Sequence, residues 1–295
     1  YNSIHEVRTR FEVLLRDAEI DSLKAVQRGV DPEAAAREYR EKRARLIDDF
    51  AFVAECNIGG ESMDPERIAR IKQIAGLTWL RHFDDRLGLS HAELKRREGL
   101  PVSAPPAVEK LLSDKHWHII PRIDKRSIDP RHGFKMEVPE HLYHFGEILN
   151  LCVEQGTLTA EERFKINEHI IQTIVMLDEL PFPRELRRVP EYAGTHHETL
   201  TGSGYPRRLT EKDLSIPARI MAIADIFEAL TASDRPYKKV KTLSESVQIL
   251  SFFKKDRHID PDLFDLFLRS GVYLRYARRF LKPEQIDEVD ISQYL

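Results

Sequence analysis

The sequence predicts an all-α fold. Apolar residues return every three or four positions over most of the chain, the alternation of a half-buried strand is almost absent, and several helices have capped starts. The first helix is expected from His5 to Gly29, with Val7, Phe11, Leu14, Leu15 and Ala18 on one face and Gly29 as its stop. Asp31-Pro32-Glu33 offers an N-cap, a first-turn proline and an acidic start for a second helix running towards Cys56. Residues 1–56 therefore read as an N-terminal helical hairpin or stalk, and 57–295 as one larger domain. Asn57-Ile58-Gly59-Gly60 breaks the chain, and Asp64-Pro65-Glu66 starts a helix expected to reach about His82. Residues 99–135 hold Pro101, Pro105, Pro106, Pro121 and Pro130 and read as an insertion, with a short helix at Ala107–Leu112. From Pro139 the helical signal is continuous, over about 139–154, 160–180, 184–196, 217–231, 242–253 and 261–270.

Composition bounds the function. The 295 residues carry 46 basic and 49 acidic side chains, a net charge of −3, which argues against a surface for duplex nucleic acid. No stretch approaches the ~20 apolar residues of a membrane helix, so no direct insertion into a membrane is expected. No signal peptide is visible, and a chain starting at Tyr1 rather than Met reads as a fragment or a processed product. Only Cys56 and Cys152 are present, which excludes a disulfide framework or a cysteine-rich zinc module and fits a cytoplasmic, reducing setting. Against 2 cysteines stand 12 histidines, so any metal must be held by nitrogen and carboxylate.

The chemistry concentrates in Thr195-His196-His197-Glu198-Thr199-Leu200-Thr201-Gly202-Ser203-Gly204-Tyr205-Pro206. Adjacent histidines at a helix end point about 100° apart and can serve neighbouring metal ions. Upstream, His169 sits in a run with Phe164, Ile166, Ile170, Ile174 and Leu177 at helical spacing. Downstream, Asp225 ends the apolar stretch Ala218 to Ala224, where a lone acid needs a partner. Each signal alone has an ordinary reading as a packed histidine, a cap or an ion pair. On three consecutive helices they converge on one candidate site.

The segment His196 to Tyr237 resembles the signature half of the HD-GYP phosphohydrolases. The shared pieces are His196-His197-Glu198, Gly204-Tyr205-Pro206, Pro217-Ala218-Arg219-Ile220, Ala224-Asp225, Ala229-Leu230-Thr231 and Arg235-Pro236-Tyr237-Lys238. The resemblance covers about 150–270. It implies a helical HD-type bundle that hydrolyses a cyclic dinucleotide, cyclic di-GMP or 3',3'-cyclic GMP-AMP, to a linear dinucleotide. It implies two or three divalent transition metals, Fe or Mn first, with Zn and Ni also compatible. The ligands carried over are His169, His196, His197 and Asp225. Arg235 and Lys238 would meet substrate phosphate, and Gly204, Tyr205 and Pro206 would border it. A metal-bound hydroxide would attack phosphorus, with Tyr205 beside it. A signalling enzyme of this kind also implies an upstream input domain and a homodimer.

The family's His-Asp pair is missing, because no adjacent His-Asp exists in the sequence. Two segments compete for its place. Leu142-Tyr143-His144-Phe145-Gly146-Glu147 mimics the pattern with every chemical residue changed, and would make the chain an inactive nucleotide-binding sensor or scaffold. Leu80-Arg81-His82-Phe83-Asp84-Asp85 offers Asp84 and Asp85 near an expected helix end, with 99–135 as the intervening insertion. The second placement is preferred, with Asp84 and Asp85 as metal ligands. Asp48, Asp49 and Glu61 are further carboxylates that would serve. A helical hydrolase acting on another phosphoester is the third reading.

Overall fold

Helices α1 (Ile4–Gln27) and α2 (Pro32–Ile58) pack against each other. Asp31 caps α2 by accepting from the Ala34 amide at 2.9 Å, with Pro32 in the first turn. The computed structural model describes residues 4–60, 62–123, 130–232 and 241–295. Its contacts divide the chain into two units, Tyr1–Ile123 with Pro139–Phe164 and Asp124–Val138 with Lys165–Leu295. No helix among the described residues is long and apolar enough to cross a membrane.

In the first unit, Val7, Phe11, Leu46 and Val53 of α1 and α2 share a core with Ile71, Ile74, Leu111, Leu112 and Leu151. The third helix, α3 (Pro65–Ala75), is capped by Asp64 as expected but stops at Gly76 rather than His82. The next residues form β1 (Thr78–Arg81), antiparallel to β2 (Ala107–Lys110), with the Leu111 amide donating to the Leu77 carbonyl at 2.7 Å. The short helix expected at Ala107–Leu112 is therefore strand in its first part. Likewise β3 (Ile119–Pro121) pairs with β4 (His141–His144), and the helix expected over 139–154 shrinks to α5 (Glu147–Leu151). Pairing with a distant segment overrides the local periodicity in these cases. One unanticipated short helix, α4 (His91–Arg96), rests on a Ser90–Glu93 capping box.

Helix α6 (Ala160–Asp178) follows prediction. The expected helix over 184–196 becomes a 3₁₀ turn at Arg184–Leu186 and then α7 (Val189–Gly194). In the second unit α8 (Ile216–Thr231), α9 (Leu243–Lys255) and α10 (Pro261–Arg269) match the sequence reading within a few residues. After Gly271, in the left-handed region at φ 68°, a further helix α11 (Val272–Phe280) packs Tyr273 and Ala277 inward. Ile223, Phe227, Val247, Leu250, Phe264 and Leu268 make the core of these four helices. The tail is stitched back by Asp287, whose carboxylate accepts from the Ser244 amide (2.8 Å) and hydroxyl (2.5 Å) at the start of α9.

Candidate metal centre

His169 stands on α6, and its Nδ1 lies 2.6 Å from the Ile166 carbonyl oxygen. His196 follows α7, and its Nδ1 lies 2.8 Å from the Ala193 carbonyl oxygen. A carbonyl only accepts, so both rings donate from Nδ1, which leaves Nε2 as the ligand atom. Histidines that bind metal through Nε2 are oriented in this way. His197 completes the group, its Nε2 3.2 Å from that of His169. The three rings offer ligand atoms within 4.8 Å of one another, the arrangement of a metal site. Asp225 on α8 places Oδ2 3.9 Å from His197 Nδ1.

Two glycines make this convergence possible. A Cβ on Gly194 would lie 2.7 Å from Ile174 Cγ1, so the end of α7 presses directly on α6 and brings His196 and His197 beside His169. A Cβ on Gly204 would lie 2.5 Å from the Glu198 Cα and 2.6 Å from the His197 carbonyl oxygen, so the turn folds back tightly against the histidines. There the Tyr205 amide donates to the His197 carbonyl at 3.2 Å, and the Tyr205 ring stacks on the His197 ring at 4.7 Å. Burial, then repulsion from His196, pushes the His197 imidazolium down to about 4, so this ring is neutral at ordinary pH. Burial, then Asp225, pushes the Tyr205 phenol up to about 12, so it is a hydrogen-bond donor and not a base.

Two parts of the site carry roles the sequence reading did not assign. Glu198, 1% exposed, accepts from the amides of Arg207 (2.7 Å) and Leu209 (2.8 Å) and so ties the far side of the turn to the histidine segment. Residues 130–138 form a strap over the turn. The Lys135 amide donates to the Pro206 carbonyl at 2.8 Å, Arg207 Nε donates to the His132 carbonyl at 2.8 Å, and the His132 ring meets Asp178 at the end of α6. Glu198 stood in the quoted motif and was traceable there. Two of the strap's three contacts are to main-chain carbonyls, which leave no signal in a sequence.

Asp84 and Asp85 belong to the first unit, in a turn after β1 rather than at a helix end. Asp84 accepts from the Arg86 amide at 2.9 Å, and Asp85 pairs with Arg97 at 3.0 Å. Asp48 and Asp49 both pair with Arg70. In the competing segment, His144 Nδ1 accepts from the Gly146 amide, and Glu147, 1% exposed, takes Arg10 at 2.8 Å and the Ser113 amide at 2.8 Å. Arg235, Lys238 and Glu61 fall outside the described residues.

An all-α protein with three converging imidazoles, a nearby carboxylate and no thiolate suits a divalent transition metal. Residues 107–263 match the HD domain family. The chain belongs to that family, in the HD-GYP branch marked by its Gly204-Tyr205-Pro206 turn. The match takes in 142–147 and begins beyond Asp84 and Asp85. Among curated proteins, the chain is 35% identical over 141 residues to 3'3'-cGAMP-specific phosphodiesterase 1 of Vibrio cholerae, covering 46% of this chain and 29% of that protein. It is 35% identical over 145 residues to 3'3'-cGAMP-specific phosphodiesterase 2 of the same organism, covering 48% and 25%. It is 34% identical over 119 residues to a cyclic di-GMP phosphodiesterase of Thermotoga maritima, covering 40% and 32%. The chain thus matches a third or less of the length of these relatives.

Proposed function

We propose that the chain is a metal-dependent phosphodiesterase that opens a cyclic dinucleotide, cyclic di-GMP or 3',3'-cyclic GMP-AMP, to the linear form. The observation that carries this reading is the convergence of the His169, His196 and His197 rings beside the Tyr205 turn. The names of the relatives supply the substrate class. His169, His196, His197 and Asp225 would hold the metal, with Fe or Mn as the first expectation. Asp84 and Asp85 remain proposed as added carboxylate ligands, and Asp85 would have to exchange Arg97 for the metal.

When bound, a divalent metal would make a water acidic enough to supply hydroxide near neutral pH and would offset charge on the phosphoryl oxygens. The chain's own residues do the rest. The Ile166 and Ala193 carbonyls fix the histidine tautomers before any ligand arrives. The Tyr205 ring covers one face of His197 and excludes water from it, and its hydroxyl keeps its proton to donate towards an anionic oxygen. Arg235 and Lys238 would bind the second phosphate. A cytoplasmic homodimer controlled by an upstream domain fits a second-messenger enzyme.

The test combines metal analysis with chromatography of cyclic di-GMP and 3',3'-cyclic GMP-AMP after incubation with Fe- or Mn-loaded protein. A linear product, and loss of bound metal in His196→Ala/His197→Ala, is the expected result. Metal-loaded protein that leaves both substrates intact refutes the proposal. Unchanged metal content and turnover in Asp84→Ala/Asp85→Ala removes those two ligands.

A further inference from the structure

The first unit contains a cleft of about 1080 Å³, just above the ~300–1,000 Å³ range of small-molecule sites. It lies wholly between elements of that unit, with α1, the end of α2, β1, β2 and α4 contributing walls. The sequence has two tryptophans, Trp79 and Trp117, and both line it. Arg97 stacks over Trp117 at 4.1 Å, and Lys115 lies 5.0 Å from the same ring.

The polar groups of the wall are unevenly satisfied. Among the described residues its carboxylates all have a partner within the chain. Glu109 takes Arg81 and Lys115, Asp85 takes Arg97, Glu55 takes Arg67, and Glu6 takes Arg10. Glu93 and Glu162 accept from the amides of Ser90 and Thr159. Two further cations line the same wall, Arg96 and Lys110; neither side chain makes a hydrogen bond or salt bridge among the described residues, and Arg96 is close enough to Glu93 to help lower its carboxyl. Arg96 and Lys110 therefore have donors to spare for an anion. The unmet polar atoms cluster here too. Of four buried side-chain atoms without a partner among the described residues, Trp79 Nε1, Arg97 Nε and Asn57 Oδ1 belong to residues lining this cleft. Interiors rarely leave such atoms unpaired, so their concentration in one wall marks a surface that small side-chain shifts would pair with a ligand.

We propose that this cleft is a second ligand site, for a mononucleotide-sized molecule that joins a planar ring to an anionic group. The indoles and the stacked guanidinium suit the ring, and Arg96 and Lys110 suit the phosphate. The proposal does not depend on the histidine cluster, whose residues are all in the second unit.

Because both tryptophans line the cleft, intrinsic fluorescence of the intact chain reports on it directly. The probes are AMP, GMP, adenosine and inorganic phosphate, each added to wild-type protein, to Arg96→Glu/Lys110→Glu and to His196→Ala/His197→Ala. A saturable change with AMP or GMP is expected, weakened at least tenfold in Arg96→Glu/Lys110→Glu and retained in the histidine variant. Circular dichroism should show Arg96→Glu/Lys110→Glu folded, with a small drop in the thermal transition because a carboxylate replaces the cation near Glu93 in the last turn of α4. No response to any probe at millimolar concentration overturns the proposal. So does equal binding of adenosine and AMP, or an unweakened response in Arg96→Glu/Lys110→Glu. Loss of the response in the histidine variant would assign the nucleotide to the metal centre instead.

Discussion

Gly204 shows how one missing carbon shapes the site. Its Cα sits so close to the chain at His197 and Glu198 that any side chain would strike backbone, which cannot rotate away. Gly204→Ala should cost about 1–3 kcal/mol, the usual range for overpacking, and should displace Tyr205 from His197. Urea unfolding and metal content are the measurements, and a variant with wild-type values for both would contradict this account of the turn. His169, His196, His197 and Asp225 were readable because imidazoles and carboxylates advertise their chemistry and their helices are strongly periodic. The contacts that hold them in place were less readable. The Ile166, Ala193, His132 and Pro206 carbonyls belong to every residue type alike and leave no mark in a sequence.

At the scale of elements, α1 is fastened to α5 by Arg10 and Glu147, with side chains 17% and 2% exposed. Removing the guanidinium takes its hydrogen-bonded cation from a buried carboxylate, to which the Ser113 amide still donates. Arg10→Ala should therefore destabilise by about 3–5 kcal/mol, as for a broken buried pair, and adding Glu147→Gln should recover part of the loss. Denaturant titration of the three variants checks this, and additive losses would contradict it. The Asp287 clasp on α9 makes a pH prediction. Partial burial opposes ionisation of Asp287, but hydrogen bonds from the Ser244 hydroxyl and amide outweigh it and hold the carboxyl below its ordinary value. Its contribution is thus fully present above the unfolded value of about 3.9 and disappears as pH falls through the lower folded value. Asp287→Asn should melt earlier than wild type at pH 7 and converge with it once pH has fallen through the lowered folded value. A gap that persists in acid would mean that the clasp does not depend on charge.

The helices that sequence located well, α6 and α8–α10, carry their own evidence in caps and apolar stripes. The strands did not, because β1–β4 are three or four residues long and exist through partners remote in sequence, Thr78 with Lys110 and Ile119 with His144. Short apolar runs such as 77–80 support either periodicity, and only the pairing decides.

At the scale of the molecule, metal and stability are linked. A metal that binds the folded cluster at about 100 times its dissociation constant adds roughly 2.7 kcal/mol. For a unit of this size that is a rise of about 2–4 °C for each kcal/mol in the transition that includes α6–α8. Calorimetry with and without a chelator measures it. His196→Ala/His197→Ala should abolish the metal-dependent part while keeping the transition, and an undiminished metal response in that variant would place the metal elsewhere.

The strap at 130–138 has a consequence for how the chain is made. Its neighbours on both sides, up to Ile123 and from Pro139, belong to the first unit, which has all its residues once Phe164 is synthesised. The strap belongs with the Tyr205 turn, and the second unit ends only at Leu295. At ~5–20 residues per second, the strap waits on the order of ten seconds on the ribosome while the rest of that unit is still being translated. During that interval the first unit can close around a looped-out segment. The histidine centre, whose turn the strap covers, is then among the last features to assemble.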